Sequence, residues 1–340
     1  MKALQLKQVG RLDMIDAPVP RVGEDQLLIK TGAAVICTSD LNDIRENPFH
    51  ISLPVIMGHE AAGTVVQVGP KAKGFAVGDR VAAHPVHPCG QCVNCRHGVG
   101  HLCLAMGHFG LNMQGTFAEC FVVRHDRARK IPNGLPFSTG ALAEPVSVCL
   151  EGLSQARLQS GQGLLIIGDG PFGVLTALLA GREKLSGLVI AGHHDWRMAF
   201  APAAEKVNIK GLANPAEALL AANGGRNYDA VFLAVGRAAA VQRGLALLKP
   251  KGRLVVFSAI PQPTPVDLFS LHCKELEIVG ACNDQDRLDE AVGMLSDPSI
   301  GLGRLVTHRF PIERYQDAID LAANGHEKAM KVALTFAQEA

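Results

Sequence analysis

The chain has 340 residues, 48% of them hydrophobic and 19% charged, with 33 Lys and Arg against 32 Asp and Glu for a formal net charge of +1. Near-neutrality excludes a field that would recruit nucleic acid or an acidic membrane surface. No uninterrupted apolar run reaches the length of a bilayer span, so no membrane association is expected. The length allows two domains with separate cores. The opening residues M-K-A-L-Q-L-K hold no apolar stretch, so no secretory leader is expected. Nine cysteines is an odd number, which fits reduced thiols in the cytoplasm better than a disulfide framework.

In chain order, residues 1 to about 130 read as short strands between turns: L-L-I-K (27–30), A-A-V-I (33–36), G-T-V-V-Q-V-G (63–69), R-V-A-A (80–83) and F-A-E-C-F-V-V (117–123). Within this β-rich part lies C-G-Q-C-V-N-C-R-H-G-V-G-H-L-C, with Cys89, Cys92, Cys95 and Cys103 spaced C-x2-C-x2-C-x7-C. Thiolates two residues apart on a turn converge on one cation, and four of them suit a closed tetrahedral zinc shell. An iron–sulfur cluster or paired disulfides remain alternatives. A shell of four sulfurs leaves no open position, so its metal would be structural. From about residue 138 the pattern changes to helix–strand alternation. The predicted elements are helix 138–156, strand 163–167, helix 171–182, strand 188–191, helix 195–204, strand 229–235, helix 239–248 and strand 253–257.

The first strand of this second region runs into G-D-G-P-F-G, residues 168–173, before a helix. Gly168 permits the tight turn, Gly170 admits a pyrophosphate, and Gly173 lets the helix pack on the sheet, with Pro171 and Phe172 between them. Strand before, helix after and a second strand beyond make a dinucleotide site of it. A carboxylate for the adenosine ribose is expected about 20 positions on. Gly192 stands there, followed by His193, His194, Asp195, Trp196 and Arg197. Loss of that carboxylate leaves space for a 2′-phosphate, to which His193, His194 and Arg197 can donate. NADP(H) is therefore favoured over NAD(H), unless Asp195 swings into the role.

A third constellation spans the β-rich part. Cys37 in V-I-C-T-S-D, His59 and Glu60 in M-G-H-E, and Glu144 in A-L-A-E-P offer a thiolate, an imidazole and carboxylates. Cys37, His59 and Glu144 make a three-ligand zinc set with a fourth position open. Each residue also has an ordinary structural reading: a buried thiol, a turn ion pair, a carboxylate at a helix start.

With these motifs in order, the chain resembles the zinc-containing medium-chain dehydrogenase/reductase superfamily, nearest its alcohol, polyol and threonine dehydrogenase branches. The resemblance runs from P-x-P (18–20) through C-T-S-D (37–40), G-H-E-A-A-G (58–63), G-D-R-V (78–81), the cysteine lobe, G-T-F-A-E (115–119), A-E-P (143–145), G-D-G-P-F-G and D-A-V-F-L-A-V-G (229–236) to M-K-V-A-L-T-F (330–336). It implies an α/β chain: a GroES-like catalytic domain from residues 1–145 and 281–340, its structural zinc lobe at about 87–105, and a Rossmann domain of doubly wound parallel sheet at 146–280. The active site is expected in the cleft, and the assembly to be a homodimer or homotetramer.

The resemblance further implies two zinc ions per chain, one catalytic and one structural. Glu60 is an alternative ligand to the catalytic ion. Asp40 would bond the ligating histidine, Ser39 would bond the substrate oxygen and start the proton relay, and Lys331 would touch the cofactor pyrophosphate. In such enzymes zinc supplies Lewis acidity to an alcohol or carbonyl oxygen while nicotinamide exchanges hydride. Three departures stand out. Asn42 replaces a histidine that often ends the relay, leaving water, the cofactor ribose or His50. Gly192 replaces the common aspartate, and C-T-S-D replaces the commoner C-G-T-D. Two rival readings are a zinc-free quinone or enoyl reductase and a non-catalytic zinc- and nucleotide-binding homologue. The Glu144 version of the ligand set resembles polyol enzymes. Phe49, Phe109 and Phe269 are candidates to line a substrate pocket.

Overall fold

The computed structural model describes residues 1–325 and 328–336. Its contacts divide the chain into two units: Met1–Ser147 with the chain from Gln285 onward, and Val148–Asp284.

The first unit is built on a seven-stranded sheet. Its long central strand, β1 (Gln26–Val35), buries Leu27, Ile29, Ala33, Ala34 and Val35, from apolar segments on either side of Lys30, Thr31 and Gly32. The two strands expected at 27–30 and 33–36 are thus one. Register shifts between Leu28 and Ile29, and between Thr31 and Ala33, bend it against its partner β2 (Glu60–Val68). Helix α1 (Thr38–Arg45) leaves the end of β1 at Cys37, which occupies the N-cap position. On the far side β1 pairs with Lys331–Thr335, Ala333 lying opposite Val35. Both parts of the unit also meet through side chains. Arg129 binds Asp286 at 3.0 Å and Asp289 at 2.7 Å, and Arg309 Nε donates to Ser138 Oγ at 3.0 Å. Leu4, Leu6, Leu27, Ile29, Val65, Phe109, Phe117, Phe121, Val332 and Leu334 belong to one core. A hairpin of Lys2–Gln8 and Arg11–Asp16, not foreseen in the sequence, forms a separate three-stranded sheet with Val55–Ile56; its second strand is only half-buried and carries little apolar signal.

Helix α2 (Ala143–Ala156) carries the chain from the first unit into the second. It starts later than the expected residue 138 because Phe137–Gly140 forms a separate turn. Pro145 then falls in the first turn, where its missing N–H costs nothing.

The second unit contains β3 (Gly163–Ile167), α3 (Pro171–Ala180), β4 (Gly187–Gly192), α4 (Asp195–Met198), β5 (Glu205–Asn208), β6 (Tyr228–Leu233), α5 (Ala238–Leu247), β7 (Leu248–Val256) and β8 (Glu277–Gly280). Its six strands are parallel, in the order β5-β4-β3-β6-β7-β8. Buried runs such as G-L-L-I-I in β3 reflect cover on both faces. The order reverses between β3 and β6, the switch point at whose carboxyl ends such sheets bind ligands. The helix expected over 195–204 stops at Met198. Pro202 has no N–H to continue it, and the chain instead extends as β5, pairing with β4.

Candidate active site and dinucleotide loop

In the first unit the turn from β1 into α1 and the start of β2 bring three groups together. Metal-ligating atoms of Cys37, His59 and Glu60 all lie within 4.8 Å of one another. All three side chains are buried, Glu60 completely. Asp40, one turn into α1, organises two of them. Its Oδ2 accepts the Cys37 amide at 2.9 Å, and its Oδ1 stands 3.2 Å from His59 Nδ1. That contact leaves Nε2 as the nitrogen available to a metal. Burial works against protonation of His59, but the Asp40 carboxylate and then the Cys37 thiol outweigh it and hold its pKa well above the usual histidine range. The surroundings thus favour positive charge at this point. Buried there are the carboxyls of Asp40, Glu60 and Glu144 and the thiol of Cys37, with Lys331 as the opposing lysine. The surplus of negative donors fits a divalent cation.

Glu144 lies buried in the first turn of α2 but is not among the three groups within 4.8 Å. Its charge reaches Lys331. Lys331, expected against a pyrophosphate, is 2% exposed and holds both Glu60 oxygens, at 2.6 and 2.7 Å. Desolvation pulls its pKa down, but the charges of Glu60, Cys37 and Glu144 carry it above the ordinary lysine value. Ser39 is half-buried in the first turn of α1, and His50 is exposed. Phe49 is half exposed, Phe109 is core packed 4.8 Å from the His87 ring, and Phe269 lies exposed in the second unit.

Two residues that sequence reasoning passed over belong to this neighbourhood. Asp43 shares the buried face of α1 with Asp40, and burial pushes its pKa up to about 6. The i, i+3 spacing of two acids on a helix beside a predicted ligand is the signal that exposes it. His108 has its ring 5.7 Å from that of His59. Its Nδ1 lies 2.7 Å from the Phe109 carbonyl, an acceptor only, so Nδ1 carries the proton. Burial, then the nearby His59, lowers its pKa to about 3.

The cysteine lobe is separate. Cys89, Cys92, Cys95 and Cys103 are all free thiols with ligand atoms within 4.8 Å of one another. Sulfur pairs stand 3.5 Å (Cys92–Cys95), 3.8 Å (Cys92–Cys103) and 3.9 Å (Cys89–Cys95) apart. Four sulfurs at the Zn–S bond length in a tetrahedron would be about 3.8 Å apart. Backbone amides aim at them: Cys89 N to Cys103 Sγ at 3.2 Å and Cys92 N to Cys89 Sγ at 3.4 Å. Such donors, from Cys95 and Leu104, bring the Cys92 thiol down to about 6. The set fits zinc.

In the second unit, Gly168 sits at the end of β3 with φ +126°, a conformation that favours glycine. A Cβ on Gly173 would collide with the Gly168 carbonyl, so helix and loop approach as closely as the motif requires. A Cβ on Gly170 would meet nothing within 4 Å, and the space beside it is open. Phe172 packs 5.3 Å from the Phe257 ring. Beyond β4, His193 and His194 are exposed and Arg197 is half-buried, its guanidinium 5.2 Å from the Trp196 ring. Asp195 accepts Asn208 Nδ2 at 2.9 Å. Asp169 was not singled out from the sequence. Its Oδ2 accepts the amides of His193 at 2.9 Å and His194 at 2.7 Å, and stands 2.9 Å from His194 Nδ1. It is the acidic residue inside the Gly-rich motif, and the missing acid at 192 was the signal to look for it.

A β-rich unit bearing a buried thiol–imidazole–carboxyl cluster, with a Rossmann unit beside it in sequence, defines a zinc-binding dehydrogenase. Residues 23–133 match the alcohol dehydrogenase GroES-like domain, and residues 187–297 match the zinc-binding dehydrogenase domain. The chain is 31% identical over 350 residues to an L-threonine 3-dehydrogenase of Coxiella burnetii, covering 99% of this chain and 100% of that one. It is 30% identical over 305 residues to the 2-dehydro-3-deoxy-L-galactonate 5-dehydrogenase of Pseudoalteromonas atlantica, with 87% of each covered. A zinc-binding dehydrogenase structure from Sinorhizobium meliloti 1021, bound to NADP, matches with TM-score 0.92 at 26% identity over 98% of both chains. The chain belongs to the zinc-containing alcohol dehydrogenase family, oxidoreductases that act on alcohols and polyols with a nicotinamide cofactor. Among the described residues no helix is long and apolar enough to cross a membrane.

Proposed function

We propose that the protein interconverts a secondary alcohol or polyol and its carbonyl form, using one catalytic and one structural zinc per chain. The observation that carries this is the buried meeting of Cys37, His59 and Glu60 with Asp40 behind the imidazole. Both named relatives act, by their names, at an internal carbon, the 3-position of threonine and the 5-position of a sugar acid. A secondary hydroxyl flanked by polar groups is the chemistry the two have in common.

Cys37 and His59 would hold the catalytic ion with a carboxylate from Glu60 or Glu144. A zinc ion held there would supply Lewis acidity toward the substrate oxygen, and a nicotinamide would supply the hydride acceptor. Asp40 fixes the His59 tautomer and orientation. Ser39 takes the hydroxyl proton on oxidation. Asn42 cannot titrate, so the proton continues to water, the cofactor ribose or His50. Lys331 pairs with both Glu60 oxygens, a pair that would have to loosen for Glu60 to serve as the ligand. Gly168, Gly170, Pro171, Phe172 and Gly173 would carry the cofactor pyrophosphate, with His193, His194 and Arg197 beside the adenosine end. The NADP(H) preference read from the sequence assumed open space beside Gly192, a space that Asp169 occupies. For assembly, the edge strand β8, with Ile278 exposed, supports the homodimer or homotetramer reading.

The test is direct. Zinc-loaded protein is mixed with NAD⁺ or NADP⁺ and a panel of secondary alcohols and polyols, and absorbance is followed at the reduced-nicotinamide band. Turnover is expected with at least one secondary alcohol. None across the panel from protein carrying both zinc equivalents would favour a non-catalytic homologue.

A further inference from the structure

Rossmann sheets usually hold the adenosine ribose with an acid at the end of the second strand, the place of Gly192 here. Glycine at that place leaves two outcomes: an open hole for a 2′-phosphate, or a space filled from elsewhere in the chain. The structure fills it. A Cβ on Gly192 would lie against the Asp169 side chain, 2.5 Å from Cγ and 2.7 Å from Oδ2. The Asp169 carboxyl therefore stands where a side chain at 192 would stand, and glycine is what admits it.

The bonding around this carboxylate matters as much as its position. Oδ2 accepts both backbone amides that follow β4, from His193 and His194, and contacts His194 Nδ1. Those amides are the donors a 2′-phosphate would need, and they are already engaged. Oδ1 makes no hydrogen bond among the described residues. Asp195, the other acid near the end of β4, is turned to Asn208.

We propose that Asp169, reaching from the Gly-rich loop into the space left by Gly192, binds the adenosine ribose hydroxyls through Oδ1 and selects NAD(H) over NADP(H). The proposal rests on the dinucleotide reading of this loop. A ribose diol donates two hydrogen bonds to a free carboxylate oxygen. A 2′-phosphate brings charge of about −1.5 to −2 against the same oxygen and finds its amide donors taken. Arg197 is a cation that could offset this, and the experiment decides between it and Asp169.

Dissociation constants of NAD⁺ and NADP⁺ are measured by titration calorimetry on the zinc-loaded chain and on Asp169→Ser. Wild type is expected to prefer NAD⁺ by about 100-fold, the scale of a like-charge mismatch. Asp169→Ser is expected to weaken NAD⁺ at least tenfold and to bring NADP⁺ level with it. The double variant Asp169→Ala with Gly192→Asp returns the carboxylate to its usual strand position and should restore the NAD⁺ preference. It also keeps the test decisive if the single variant folds poorly. Equal or tighter NADP⁺ binding by wild type, or a ratio unmoved in Asp169→Ser, would overturn this proposal alone. Binding of neither dinucleotide would overturn it together with the dinucleotide reading.

Discussion

At the scale of the residue, the first unit concentrates acids that must each be neutralised, shared or kept protonated. Asp43 takes the last course only below about pH 6. Its folded pKa of about 6, against 3.8 for the free side chain, is set by burial and by the neighbouring Asp40 charge. A raised carboxyl pKa means that the folded state holds the proton more tightly than the unfolded chain. Its contribution to stability is present in acid and is lost as pH rises through about 6. Asp43→Asn should therefore raise the melting temperature, by an amount that widens between pH 5 and pH 8 and reaches a few degrees, on the order of 1–3 kcal/mol. Parallel wild-type and variant melting curves across that range would show that Asp43 does not titrate as described. Lys331 and Glu60 take the first course, a buried pair joined at 2.6 Å. Removing one partner strands a charge, so Lys331→Met should cost about 3–5 kcal/mol in the chelated protein, and adding Glu60→Gln should recover most of it. Additive losses in the double variant, read from urea midpoints, would mean that the two charges are not energetically coupled.

At the scale of the element, the sequence was most legible where local chemistry leaves little choice. The β3–loop–α3 passage is one such place: glycines, a proline at the helix start and an apolar strand all agree. The cysteine lobe is another, because four thiols in fifteen residues have few folded solutions. Legibility failed where tertiary context decided. One bulged strand was read as two because Gly32 and Lys30 look like punctuation, and the hairpin at residues 2–16 was missed because its polar face masks the alternation. The swap of an acid from the end of β4 to the Gly-rich loop was invisible because Asp169 and Gly192 meet only after folding. The lobe itself yields a prediction. Cys103→Ser removes the buried member of the sulfur set. It should lose about one zinc equivalent per chain and open the segment around residues 89–105 to proteolysis. Cys149→Ser, at a buried thiol outside both clusters, should lose no zinc. Equal zinc loss in both, by metal analysis, would detach the lobe from metal binding.

At the scale of the whole molecule, the separation of chemistry between units has a measurable consequence. The ligand cluster is built entirely within the first unit, on β1, α1 and β2, and is closed by Lys331 from the C-terminal strand that pairs with β1. The Gly-rich loop and the residues after β4 belong entirely to the second, whose parallel sheet has its own core of Leu165, Val189, Val231, Leu233 and Leu254. Interleaving two chain segments into the first unit is a long-range outcome that no local pattern announces. The ordered family motifs led to that expectation, because they span both segments. Each unit is therefore expected to keep its own site when the other is damaged. Cys37→Ser substitutes a poor zinc ligand for a thiolate, and should reduce turnover below detection while leaving the dinucleotide dissociation constant within about threefold of wild type. Binding is read by calorimetry and turnover by nicotinamide absorbance on the same preparation, so each measurement controls the other. A matching collapse of dinucleotide affinity would mean that the metal cluster supports the cofactor site directly, and that the two chemistries are not divided between the units.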